Sequence, residues 1–337
     1  MAGEKESAQD PVPLFGDRLD RTVRERKSVV AAGIDPTLAM LPPDLAELAR
    51  SGPDGLHSAL SDFCLGVVMA VGDLVAAVKP NIAFFEAFGL YGLTVYKSVC
   101  LAAADLGLLV IGDVKRGDIG STAAAYASGL LDCPRPGIRR LAAIGDAGQF
   151  AREAGPLLGP HDALTLNPYL GSDSVKPFLE KGCDQGQGFF ILVKTSNPSG
   201  ADLQDLRLDS GETVAERVAA LTRDWGGAWI GESGLSSVGA VVGATHPSEL
   251  CRCREIMPSA PFLVPGYGAQ GGTAADVVPA FRPDGSGAVI SASRSILQAW
   301  KTENNPLDWQ GAARRAAGAM NADLRSALRA AGKGEWL

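Results

Sequence analysis

Leu108-Leu109-Val110-Ile111-Gly112-Asp113-Val114-Lys115-Arg116-Gly117-Asp118-Ile119-Gly120-Ser121-Thr122 begins as an apolar run of strand length and ends in charges of alternating sign. Side chains of an extended segment alternate faces with period two, so Asp113 and Lys115 point one way and Val114 the other. Gly117 lets the chain turn, and Asp118 reaches back from the loop. Taken alone, an Asp-x-Lys at a strand end is an ordinary ion pair. What the rest of the chain gathers around it decides whether it is more.

The same grammar recurs on both sides. Upstream, the apolar runs 29–34 and 75–78 stop at Asp35-Pro36 and Lys79-Pro80-Asn81, where proline cannot continue a ladder. Downstream, 163–167, 189–194, 240–245, 262–264 and 288–291 read as strands, and along the whole chain 56–71, 91–105, 121–131, 175–181, 212–225 and 248–256 read as helices between strands. Parallel neighbours need a crossover that a hairpin cannot provide. Eight such units in roughly 300 residues predict an α/β fold of the (β/α)8 TIM-barrel kind, with a doubly wound open sheet as the alternative. Asp35, Lys79, Asp113, Lys115, Asn167, Ser196, Gln270 and Arg294 all fall at or just past strand C-termini. A barrel gathers those ends around one mouth.

The expected organisation is a flexible polar tail at 1–14, a barrel over 15–300 with an irregular insert near 132–161, and a helical extension at 301–337. Within the insert 146–154 reads as a helix. In the extension Met320, Leu324 and Leu328 recur every four residues, a stripe to be packed against the body or a partner. At the other end Phe15, Leu19 and Val23 make a short amphipathic helix.

A net charge of −7 with no Lys/Arg block argues against a nucleic-acid binder, which needs a basic stripe. Six scattered cysteines and three distant histidines lack metal-ligand spacing, and the cysteines read as reduced thiols of a cytoplasmic protein. The tail has no apolar core of a signal peptide, and no run approaches the ~20 consecutive apolar residues of a membrane span. No membrane partner is expected.

In a barrel Lys79 stands one strand from Asp113, so Lys79, Asp113, Lys115 and Asp118 form a row of alternating sign that sums to zero, which makes burial tolerable. A lysine flanked by carboxylates stays protonated. It is a poor nucleophile, unlike a Schiff-base lysine, and a good proton donor and stabiliser of developing negative charge. Across the mouth, Gly266, Gly268 and Gly271 follow strand seven, and Ser293-Arg294 follows strand eight. Loops after those strands are where barrels commonly hold phosphate, with glycines baring N–H groups and arginine offering a two-pronged donor. Asp35 and the polar run 194–200 are further candidates for hydroxyl or ring contacts.

With these residues in view, the chain resembles the orotidine 5′-phosphate decarboxylase family. Asp113-x-Lys115-x-x-Asp118-Ile119-x-x-Thr122 is similar to the family's signature, and Arg116-Gly117 with Asn167-Pro168-Tyr169-Leu170-Gly171 is similar to its second bacterial subgroup. Gly33-Ile34-Asp35-Pro36, Lys79-Pro80-Asn81, Pro265 through Gly272 and Ser293-Arg294-Ser295-Ile296 fall in the family's order, so the likeness spans about 15–300. It implies a barrel that converts orotidine 5′-monophosphate to UMP in pyrimidine biosynthesis with no metal or organic cofactor.

By that resemblance Lys115 stabilises and then protonates the carbanion, Asp113 sits by the substrate carboxylate, and Lys79 and Asp35 hold ribose hydroxyls. Asp118, with Ile119 and Thr122 beside it, serves the neighbouring subunit's site in a homodimer. Ser196 touches the pyrimidine, while Pro265, Gln270, Ser293 and Arg294 line the phosphate end. Ser293 stands where the family often carries glycine. Two alternatives stay open: a magnesium-dependent sugar-phosphate decarboxylase of the same superfamily, and a non-catalytic nucleotide-binding barrel.

Overall fold

The computed structural model describes residues 12–131, 158–245, 247–268 and 271–337. The helix expected at 146–154, all but the end of the insert, most of the N-terminal tail and Gln270 lie outside them. Among the described residues eight strands run in sequence order: β1 (Val30–Ile34), β2 (Ala77–Pro80), β3 (Leu109–Arg116), β4 (Ala163–Leu166), β5 (Gly188–Lys194), β6 (Val238–Val242), β7 (Phe262–Pro265) and β8 (Ala288–Ala292). All pair in parallel, and β1 pairs with β8 through Val30–Ile290, Ala31–Ser291 and Ala32–Ala292. That closure excludes the open sheet.

Two strands sit differently from their sequence reading. β2 starts at Ala77 rather than 75 and runs through Lys79 to Pro80, its last residue, where a missing N–H costs no ladder bond. β6 starts at Val238 rather than 240 because Gly239 is a strand residue. A side chain there would collide with the Pro261 carbonyl and the Phe190 ring, so this glycine marks a close approach and not a break. Gly243 and the two residues after it leave the sheet.

The floor of the barrel is closed by the helix Phe15–Arg26, whose Phe15 is fully buried and meets Phe190 edge-on at 5.8 Å. Arg18 pairs with buried Asp162 and donates to the Gly186 carbonyl at 2.6 Å. Gly188 opens β5 because any Cβ there would overlap the Phe15 ring. Gly188→Ala is therefore expected to destabilise the fold by about 1–3 kcal/mol through overpacking. Chemical denaturation reads this out, and an unchanged midpoint would contradict the plug.

The stripe of the last helix, Trp309–Ala330, packs on the body: Met320, Leu324 and Leu328 are buried, and the helix lies against Pro53–Val71 and β1. The Trp309 ring stacks near Phe63 at 5.3 Å, over Gly66, where no side chain would fit. The helix Pro53–Val71 has the length and mean hydropathy of a bilayer crossing. It also carries Asp54 and Asp62, and Leu60, Phe63, Val67 and Val71 are buried in the protein core.

Candidate active site

Lys79 at the end of β2 and Asp113 in β3 are both buried, and Lys79 Nζ donates to Asp113 Oδ2 at 2.7 Å. Lys115 Nζ donates to the other oxygen, Oδ1, with its side chain 47% exposed toward solvent. The two ammonium groups thus differ: one is sealed in the wall and one faces out.

The period-two reading places these groups on one side correctly but misses how the strand does it. Gly112 pairs with Leu164 and Arg116 pairs with Leu166, so Asp113, Val114 and Lys115 stand opposite Thr165 alone. This is a β-bulge, which bends a strand and re-aims its side chains. Lys115 takes φ +45°, a left-handed conformation uncommon for a non-glycine residue and found preferentially at functional sites. Its amide, lost to the regular ladder, donates to Thr165 Oγ1 at 3.0 Å, and the same hydroxyl donates to Asp113 Oδ1 at 3.0 Å. Thr165 escaped the sequence reading as one more residue of an apolar strand. Its signal was a lone hydroxyl two positions before Asn167-Pro168.

Burial pushes the Asp113 carboxyl up, but the charges of Lys79 and Lys115 outweigh it and hold the group well below the usual carboxylate range. Burial likewise pulls the Lys79 ammonium down, and Asp113 and then Asp35 more than restore it, so the net direction is upward. The charges of Asp113 and Lys79 are thereby fixed near neutral pH.

The fourth charge of the row within one chain is Asp35, whose field reaches Lys79. Its Oδ1 is buried without a hydrogen-bond partner among the described residues, an acceptor open to a ligand hydroxyl. Asp118 instead accepts from the Ile119 amide at 2.8 Å and makes no ion pair among the described residues. Ile119 is 54% exposed, and Thr122 is exposed on the same rim. Gly117 is fixed by close approach, since a Cβ would stand 2.8 Å from the Asn167 carbonyl.

Ser196 lies at the end of β5 against Gly243. Lys194, one of the sequence candidates nearby, turns to the outside of the barrel to pair with Asp205 and, at 3.5 Å, with Glu249. On the opposite side, Gly266, Gly268 and Gly271 all have positive φ. The Gly268 amide donates to the Gly272 carbonyl at 2.8 Å, and Tyr267 Oη donates to Asp323 of the last helix at 2.6 Å. Gly268 faces Ser295, so the loops after β7 and β8 meet, with Arg294 exposed beside them. Ser293 has negative φ and sets its hydroxyl over Gly33, which has no room for a Cβ. The serine is thus accommodated by the glycine across from it.

The barrel thus carries a charged triad at the ends of β2 and β3 and a glycine-rich loop after β7, on the opposite side. The family model described as orotidine 5′-phosphate decarboxylase / HUMPS family matches residues 55–305. The chain belongs to this family. A Rhodopirellula baltica protein named orotidine 5′-phosphate decarboxylase is 40% identical over 92% of this chain and 99% of its own length. One of the same name from Deinococcus radiodurans is 40% identical over 94% of this chain and 98% of its own. The solved structure of Leishmania donovani OMP decarboxylase is 30% identical, with a TM-score of 0.64 over 93% of this chain and 99% of that one.

Beneath the decarboxylase-family triad lies a neutral histidine. His161 is buried; Nδ1 donates to the Leu130 carbonyl at 2.8 Å, which leaves Nε2 to accept from Tyr96 Oη at 2.9 Å. Burial lowers its pKa below the ordinary 6.5, against the opposing pull of the Leu130 carbonyl and Asp162. A depressed folded pKa gives stability that is present above 6.5 and lost as pH falls through the folded value. The melting temperature should fall from about pH 6.5 downward, with a shallower slope in His161→Gln. Parallel slopes would place the acid sensitivity elsewhere.

Proposed function

We infer that this chain decarboxylates orotidine 5′-monophosphate to UMP and CO2. The observation that carries the reading is the Asp35, Lys79, Asp113, Lys115 array at the strand ends of a barrel of this family, with Lys115 as its solvent-facing cation. Loss of CO2 from a ring carbon with no electron sink leaves the bonding pair localised on that carbon. A preorganised cation beside it is the dominant stabilisation available. Lys115 supplies that charge, then gives the carbon a proton and regains one from solvent.

Asp113 sits by the substrate carboxylate and aims Lys115. Asp35 and Lys79 hold the ribose hydroxyls, Ser196 contacts the pyrimidine, and Pro265, Gln270, Ser293 and Arg294 with the loop amides hold the phosphate. Phosphate binding, remote from the reacting carbon, supplies energy to close the loop after β7. The enzyme works as a cytoplasmic homodimer, Asp118 and Thr122 reaching with Ile119 into the partner's site. Exposed Ile119, Tyr126, Tyr169 and Leu170 provide the apolar rim such a dimer needs.

The magnesium-dependent alternative is disfavoured by the surroundings of Asp113, whose oxygens already take two ammonium groups and a hydroxyl, a poor seat for a divalent cation. The test is an assay of orotidine 5′-monophosphate absorbance in the presence of a chelator. Turnover is expected. UMP binding without turnover would instead make the chain a binding module, and chelator-sensitive turnover of a sugar phosphate would favour the magnesium enzyme.

A further inference from the structure

We propose that Thr165 is a positioning residue for the decarboxylation, its hydroxyl locking the bulged backbone of Lys115 to the carboxylate that aims it. The proposal rests on the functional reading above and extends it to a residue that no candidate motif contains.

Thr165 is the only β4 residue facing the three bulged residues of β3, and it is 1% exposed. A regular ladder would satisfy the Lys115 amide with a backbone carbonyl. The bulge removes that partner, and the Thr165 hydroxyl replaces it, accepting the Lys115 N–H at 3.0 Å. Its single proton is spent on Asp113 Oδ1, also at 3.0 Å, the same oxygen that receives Lys115 Nζ. The ring of contacts from Lys115 N through Thr165 and Asp113 to Lys115 Nζ therefore fixes both ends of the catalytic lysine. A hydroxyl is the smallest group that can accept and donate at once in so enclosed a place; valine fills the same volume and can do neither. Strain at φ +45° has to be held by its surroundings, and this contact is the one that grips the strained residue's own amide.

The experiment compares wild type, Thr165→Val and Thr165→Ser for kcat and KM on orotidine 5′-monophosphate and for UMP affinity by calorimetry. Wild-type turnover tests the functional reading independently of this proposal. Thr165→Val should lose about 10- to 100-fold in kcat, the scale of a hydrogen bond to a charged group, with UMP affinity within about threefold of wild type. Thr165→Ser, which keeps the hydroxyl, should recover to within about threefold of wild-type kcat. A kcat for Thr165→Val within about twofold of wild type would overturn the proposal. So would equal losses in the two variants, because packing of the methyl rather than the hydroxyl would then be responsible. If Thr165→Val fails to fold, Thr165→Ala and Thr165→Cys, which also lack a strong donor–acceptor hydroxyl, are measured against Thr165→Ser with the same criteria.

Discussion

Lys115→Ala abolishes turnover, with a loss of about 10⁴-fold or more expected from removing the proton donor and the transition-state cation together. The fold should survive. Lys115 is half-exposed, and Asp113 keeps its buried bonds to Lys79 and Thr165, so no charge is left unpaired in the wall. A melting temperature within about 3 °C of wild type would separate this result from unfolding. Residual activity within about tenfold of wild type would defeat the proposed mechanism, since Lys79, the other ammonium of the array, is buried and already bonded to Asp113.

The second large effect is a gain. Mixing two inactive chains, Lys115→Ala and Asp118→Ala, should restore activity to about one quarter of wild type: random exchange makes half the dimers hybrid, and each hybrid has one intact site of two. The expectation follows from the position of Asp118, which caps the Ile119 amide and joins no ion pair among the described residues of its own chain. It also follows from the exposed apolar side chains of Ile119, Tyr126, Tyr169 and Leu170. Subunit exchange is verified separately with differently tagged chains. Hybrids that form and stay inactive would remove Asp118 from the partner's site.

The strand positions were legible because each buried strand is an apolar run punctuated by Pro, Gly or Asn, and the candidate charges sit where those runs end. The Lys79–Asp113–Lys115 contact was legible for the same reason, since parallel neighbours set their C-termini side by side. What the pattern could not separate was glycine as a breaker from glycine as a close approach. Gly239, just outside the strand expected at 240–245, is a close approach inside β6, because the Pro261 carbonyl lies against it. Lys194 was legible as a polar strand end but not as an outward-facing one, since β5 shifts register against β6 between Leu192 and Lys194 and breaks the alternation of faces.

By itself, then, the sequence determined the barrel, its mouth and the family, through local periodicity and the order of its charged strand ends. Tertiary structure alone decided which groups meet: Asp35 rather than Asp118 as the near charge for Lys79, Ser293 over Gly33, Tyr267 on Asp323, and Thr165 beneath the bulge. Local pattern carries no record of these contacts, because register shifts and loop closures place residues far apart in sequence within a hydrogen bond of one another. The lysine that the opening stretch put at a strand end is held there by a hydroxyl fifty residues away.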